Sequence, residues 1–211
     1  MSDRNAWVRR LGLLAGAGLV ALASCYPGEA PLSDVIVTNY DTTKDFKAYK
    51  SFAVPDSVQD IGDPNDDGYI EYDHSQDSTI TRRIRSNLVA LGWTDYSDSL
   101  STKKPDVAVV VTALLSRNTA VSGYPPYWGW WPGWGYYPPY YPCCWTVVQY
   151  NTGSISMEMG EDPGEGEVVF VPWAGRLNGL LSSSNNYSQT RSRLQRGIDQ
   201  AFAQSPYLDI N

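Results

Sequence analysis

Val107-Ala108-Val109-Val110-Val111-Thr112-Ala113-Leu114-Leu115, opened by Pro105-Asp106, carries no charge and no glycine or proline. A short unbroken apolar run bounded by turn residues reads as a strand in the middle of a sheet. Downstream, Thr152 to Met159 alternates, with Ile155, Met157 and Met159 set against Ser154, Ser156 and Glu158. That is the period of a half-buried strand, apolar side in and polar side out. Asp162 to Gly166 is a turn. Glu167 to Leu181 is strand-like again, and its Pro172 points to an irregularity or an edge. Cys144 to Gln149 also has strand character. Upstream, Asp34 to Asn39 is rich in β-branched residues, and Asp45 to Phe52 leads into a second strand ending at Pro55. Ser57 to His74 is polar and acidic and reads as a loop, and Trp93 to Tyr96 reads as a brief extended piece.

Two segments show the helical period instead. In Ser78 to Leu91, Ile80, Ile84, Leu88 and Leu91 form one apolar stripe. Arg82, Arg83 and Arg85 lie off the stripe and read as a solvated face, with a binding patch as the alternative. Asp77 or Ser78 is placed to cap the start, and Gly92 ends the helix. From about Ser188 to Ala203, Leu194, Ile198 and Phe202 share a face, and Pro206 stops the run. Strands joined by short turns imply antiparallel pairing, and two amphipathic helices imply a cover on one side. The predicted fold is an α+β two-layer sandwich, a mainly antiparallel sheet with both helices on one face.

The N-terminus has the three parts of a secretory signal. Arg4, Arg9 and Arg10 give a basic start, Leu11 to Leu22 an apolar middle, and Ala23-Ser24 small residues before Cys25. The apolar run is well short of the ~20 residues that span a bilayer as a helix. Leu22-Ala23-Ser24-Cys25 resembles the lipobox of bacterial lipoproteins, in which the cysteine is acylated and becomes the new N-terminus. This predicts a signal peptide over residues 1–24, a lipidated tether over 25–33 and a single domain over 34–211. The membrane is then the first expected partner, held through acyl chains that bury about 0.8 kcal/mol per CH₂. Tyr26 after the cysteine, in place of Asp, is the pattern that goes with the outer membrane in many Gram-negative bacteria. The expected location is its periplasmic face.

The chain has 16 Lys+Arg and 23 Asp+Glu. Residues 1–24 hold three Arg and one Asp, which leaves 13 and 22, a net charge of −9. This balance argues against nucleic acid as a partner and against a general affinity for anionic lipid. Cys143 and Cys144 are adjacent, in what the signal predicts to be an oxidising compartment. They form a vicinal disulfide, a link to another chain, or two thiols. Since His74 is the only histidine, a structural zinc site is not expected.

Tyr124 to Trp145 is an uncharged low-complexity stretch of Tyr, Trp, Pro and Gly between two predicted strands. Proline and glycine exclude a regular helix or a central strand. Its rings form the candidate contact surface: Tyr127, Trp128, Trp130, Trp131, Trp134, Tyr136, Tyr137, Tyr140 and Tyr141. Tyr and Trp offer rigid amphipathic area at low entropic cost. Four uses fit: a cover over the chain's own sheet, an envelope protein partner or self-association, the membrane interface, and stacking on glycans.

Asp63-Pro64-Asn65-Asp66-Asp67-Gly68-Tyr69-Ile70-Glu71 resembles the first nine positions of an EF-hand loop. Asp63, Asn65 and Asp67 alternate, with Glu71 at the ninth position. The twelfth position is His74 in place of the bidentate Glu. A solvated turn is expected here, with a weak calcium site as the alternative and no metal assigned. Neither a nucleophile–histidine pair nor a phosphate loop appears, so no catalytic residues, no cofactor and no enzyme activity are expected.

Several short motifs resemble the lipoproteins of the domain-of-unknown-function 4136 family. They are Asp45-Phe46-Lys47-Ala48-Tyr49-Lys50-Ser51-Phe52, Leu91-Gly92-Trp93, Pro105-Asp106-Val107, Gly153-Ser154-Ile155-Ser156-Met157 and Trp173-Ala174-Gly175. The resemblance spans most of the chain after the signal. It implies an α+β envelope lipoprotein and brings no catalytic residues. The sequence therefore points to a non-catalytic cell-envelope lipoprotein that acts structurally or through a protein partner. A glycan- or peptidoglycan-binding module is the alternative.

Overall fold

The uncharged run Val107–Leu114 lies inside the sheet, as its composition requires, with every residue buried. It belongs to a computed structural model that describes residues 35–62, 64–65, 68–99, 103–115, 139–140, 153–161, 169–181 and 187–211. In chain order the strands of the described residues are β1 (Val35–Tyr40), β2 (Ser51–Ala53), β3 (Gln59–Asp60), β4 (Thr94–Asp95), β5 (Val107–Leu114), β6 (Pro139–Tyr140), β7 (Ser154–Glu161) and β8 (Val169–Asn178). The helices are α1 (Asp77–Ala90) and α2 (Tyr187–Ala203). The sheet runs β1-β8-β7-β5-β2-β4, with β3 beside β5 and β6 beside β8.

The four long strands β1, β8, β7 and β5 pair antiparallel. The short ones do not. β2 and β4 pair parallel, as do β2 and β5, β3 and β5, and β6 and β8. The fold is the α+β arrangement expected, with a mixed sheet. The parallel part arises because α1 intervenes between β2 and β4, and a helical crossover returns the chain in the same direction. The expected Ser57–His74 loop also contains β3. It follows β2 along the same edge of β5, where Val54 to Val58 span what Val109 to Val111 span opposite. The excess includes Pro55, which has no N–H for the ladder. Pro172 sits in β8, an interior strand, at a bulge where Val171-Pro172 faces Gly160 of β7. The irregularity is a bulge and not an edge.

Both predicted stripes face the sheet. Ile80, Ile84 and Leu88 of α1 and Leu194, Ile198 and Phe202 of α2 join Val107, Val109, Val111, Ile155, Met157, Met159, Trp173 and Leu177 in one core. Gly197 lets α2 approach closely, since a Cβ there would lie 2.6 Å from Leu180 Cδ1 and 2.9 Å from Leu177 Cδ2. α1 starts differently from expectation. Its N-cap is Gln76 without a side-chain cap, and Asp77 is turned to the Val58 N–H at 3.2 Å and His74 Nδ1 at 3.0 Å. The other end is as read, with Gly92 at φ +94° and the Trp93 N–H reaching the Leu88 carbonyl. The C-terminal residues close that end: the Ile210 N–H donates to the Leu91 carbonyl and Trp93 Nε1 to the Leu208 carbonyl at 2.7 Å.

Two expectations about exposure are corrected. Ser154, Ser156 and Glu158, read as the wet side of a half-buried strand, are only 1–2 % exposed. Arg83 and Arg85 are not simply solvated. Arg83 forms a bidentate pair with Asp199 of α2, and Arg85 faces Asp56, Asp95 and Asp98.

Candidate functional site

The motif-bearing segments converge at the end of the sheet where β2 and β5 begin. Asp45 accepts from the Lys47 N–H and starts a short 3₁₀ turn that buries Phe46. The turn delivers Tyr49, Lys50 and Ser51 to Asp106. One carboxylate oxygen, Asp106 Oδ2, accepts from the Lys50 N–H, the Ser51 N–H and the Ser51 hydroxyl at 2.8–2.9 Å. The Ser51 hydroxyl oxygen in turn accepts from the Asp106 N–H at 3.0 Å. Partial burial works against the charge on Asp106, but these donors outweigh it and hold its carboxyl below the usual range.

Beside this clasp, Glu161 at the end of β7 accepts from Lys44 Nζ at 2.7 Å and from the Tyr49 hydroxyl in a short bond. Burial first, then the hydrogen bond and negative charge of Glu161, push the Tyr49 phenol far above its ordinary range, so it stays protonated. Lys44 Nζ also lies 4.0 Å from the Phe170 ring centre. A hollow of about 310 Å³ opens among Tyr49, Lys104, Pro105, Asp106 and Glu161. Both carboxylates in it are committed to internal donors. The chemistry available is that of a clasp joining β2, β5 and β7, without a poised acid–base pair.

Asp106 yields a direct prediction. Asp106→Asn should destabilise the fold by about 1–2 kcal/mol at neutral pH, a range discounted for the exposure of the side chain. Because the folded pKa is lowered, the stability it contributes is present above the unfolded carboxyl value. It is lost as pH falls through the folded value. Urea unfolding of both proteins should therefore show a gap that is constant above about pH 5 and closes at lower pH. A gap independent of pH down to strongly acidic conditions would mean that the carboxylate charge is not what holds the clasp.

A second group of polar residues lies on the sheet face away from the helices. Register sets Thr112, Ser156 and Arg176 side by side on β5, β7 and β8, with Glu158 two residues from Ser156. All are buried, and the Ser156 hydroxyl reaches Glu158 Oε1 at 3.2 Å. Sequence reading missed this row. Ser156 and Glu158 stood in the alternating pattern of β7, but nothing in the sequence placed Thr112 and Arg176 beside Ser156.

Cys25, Cys143, Cys144, Asp63 and Asp67 lie outside the described residues, as do Tyr127, Trp128, Trp130, Trp131, Trp134, Tyr136, Tyr137 and Tyr141. Tyr140 lies in β6, paired with Phe170. In the acidic segment Glu71 is exposed. The organising residue there is Asp60, whose carboxylate accepts from the Gly62 N–H, the Tyr69 hydroxyl and the Tyr72 N–H, each at 2.9 Å. Among the described residues no three of His, Cys, Asp and Glu gather as a metal site, and no helix is long and apolar enough to cross a membrane.

Comparison with known proteins places this architecture. No curated protein matches the chain. Among solved structures, it is similar to a DUF4136 family protein from Bacteroides thetaiotaomicron, with 27% identity and a TM-score of 0.63 over 84% of this chain and 98% of that one. Fainter likenesses are to a PDZ domain protein from Parabacteroides distasonis (15% identity, TM-score 0.42, 82% of this chain and 35% of that one) and to a PelC dodecamer from Paraburkholderia phytofirmans (10%, 0.39, 84% and 99%). Neither carries a functional inference. The family model for DUF4136, a domain of unknown function, matches residues 36–207, and the chain belongs to that family.

Proposed function

We propose that this protein is a non-catalytic lipoprotein of the cell envelope. Acylated Cys25 holds it to the membrane, on the periplasmic face of the outer membrane, and the aromatic stretch Tyr124–Trp145 binds a protein partner or a second copy. The observation that supports this reading is a pairing. Leu114 and Ser154 face each other across β5 and β7, so 115–153 is the connection of a β-hairpin. Two to five residues close a hairpin, and connections many times longer usually serve a function beyond closure. The polar motifs at the sheet end hold strands together, which leaves the uncharged Tyr/Trp insertion as the part of the chain suited to contact.

The same rings, without a charged residue among them, favour a second reading as a glycan- or peptidoglycan-binding module. Crosslinking and pull-down from intact cells, comparing the full protein with one lacking 124–145, separates the two. The partner reading expects a specific envelope protein captured by the first and lost from the second. Glycan binding expects instead a shift in tryptophan fluorescence on adding soluble cell-wall fragments. An unchanged set of captured proteins together with unchanged fluorescence would defeat both.

A further inference from the structure

The helical layer carries charge opposite to the chain as a whole. α1 and α2 hold Arg82, Arg83, Arg85, Arg191, Arg193 and Arg196 against Asp77 and Asp199, six less two or +4, in a chain of formal charge −7. Several of these are already committed. Arg83 is paired with Asp199, Arg85 faces three aspartates, and Arg193 donates to the Gly179 carbonyl at 3.0 Å. Arg82 and Arg191 have no carboxylate partner among the described residues.

These two line one groove of about 220 Å³ between the helices, together with Ser78, Ser86, Gln195 and Arg83, whose charge is met by Asp199. Arg82 is held in place by its own helix: Nε donates to the Ser78 carbonyl at 2.8 Å and Nη2 to the Ser78 hydroxyl at 3.0 Å. A guanidinium has five N–H donors, so a pre-set fork remains for a ligand. The groove also opens at the first turn of α1, the positive end of that helix.

We propose that this groove binds a phosphate oxyanion, with Arg82 from α1 and Arg191 from α2 as its charged donors and the Ser78 and Ser86 hydroxyls completing the shell. Two arginines on different helices approach one anion from different sides. That suits the several oxygens of a phosphate better than the planar edge of a carboxylate. The groove also has room for the group to which a phosphate is attached. Free phosphate and the phosphodiester of an anionic lipid headgroup share this chemistry. The proposal does not depend on the lipid anchor or on the aromatic stretch.

Calorimetric titration of the full chain in non-ionic detergent tests it, with three ligands: inorganic phosphate, dihexanoyl phosphatidylglycerol and dihexanoyl phosphatidylcholine. Preference for inorganic phosphate identifies a free-phosphate site, and preference for phosphatidylglycerol over phosphatidylcholine a headgroup site. Either result supports the proposal if Arg82→Gln with Arg191→Gln weakens binding about tenfold or more at unchanged melting temperature. Arg82→Lys with Arg191→Lys, which keeps charge but loses the fork, should recover only part of the affinity. No heat with any ligand would overturn the proposal. So would equal affinity in the Gln variant, or an equal loss from Arg196→Gln, which removes charge outside the groove.

Discussion

Trp173→Ala is expected to lower the stability of the domain by about 3–5 kcal/mol, the range for emptying a large aromatic site that cannot collapse. Trp173 is fully buried on β8. Its ring stacks on Phe202 of α2 at 5.4 Å between centroids, and its edge also meets the space that Gly175 leaves open by having no Cβ. The indole therefore fills the joint between the sheet and α2, and neighbours on a strand and a helix cannot both move in to fill the void. Urea unfolding should show the midpoint falling with the slope unchanged, the sign of lost stability without a changed unfolded state. Trp173→Phe keeps an aromatic ring on Phe202 and should cost much less. Equal losses in the two variants would mean that ring volume is not what the joint depends on.

What the sequence reveals follows from which forces are local. Periodicity is local, so the apolar stripes of α1 and α2 and the inward side of β7 were legible from residues such as Ile84, Ile198 and Met157. Strand direction is not local. β2 and β4 pair parallel because of where α1 returns the chain, and nothing in Ser51-Phe52-Ala53 records that. Exposure is also not local. The alternation in Ser154 to Met159 tells which side faces the helices, but not that Ser154, Ser156 and Glu158 would themselves be withdrawn from water. Polar groups tolerate burial when they find partners: the Ser154 hydroxyl finds Asn178 on β8 and the Ser156 hydroxyl finds Glu158 on its own strand, each at 3.2 Å.

The candidate site divides the same way. Asp45-Phe46-Lys47-Ala48-Tyr49-Lys50-Ser51-Phe52 and Pro105-Asp106-Val107 stood out as motifs, yet only the fold shows that Asp106 clasps Lys50 and Ser51 across more than fifty residues of sequence. Glu161, which completes that corner, belongs to no motif. The calcium-like spacing drew attention to Asp63, Asn65 and Asp67, while the carboxylate with three donors is Asp60, just before them. Arg82 and Arg191 are far apart in the chain and meet only because α1 and α2 pack side by side.

Ser205, in the C-terminal Gln204-Ser205-Pro206-Tyr207, has the other large expected effect. Its side chain is fully buried and fully used. The hydroxyl accepts from Trp173 Nε1 at 3.0 Å and from the Tyr207 hydroxyl at 3.1 Å, and donates to the Ala201 carbonyl at 3.0 Å. A hydroxyl offers one donor and two acceptor sites, so none is left over. Ser205→Ala leaves the buried indole N–H without its acceptor, a desolvation penalty that should cost about 2–3 kcal/mol although only one oxygen is removed. The cost should depend on the donor. In a Trp173→Phe background there is no N–H to strand, so Ser205→Ala should then cost about 1 kcal/mol or less. The cycle measured by urea unfolding should thus show strong coupling between two residues 32 apart in sequence. Additive losses would mean that Ser205 stabilises the C-terminal turn through Tyr207 and Ala201 alone. The stacked pair Tyr40–Tyr207, with centroids 3.7 Å apart, would then be the link that ties this segment to β1.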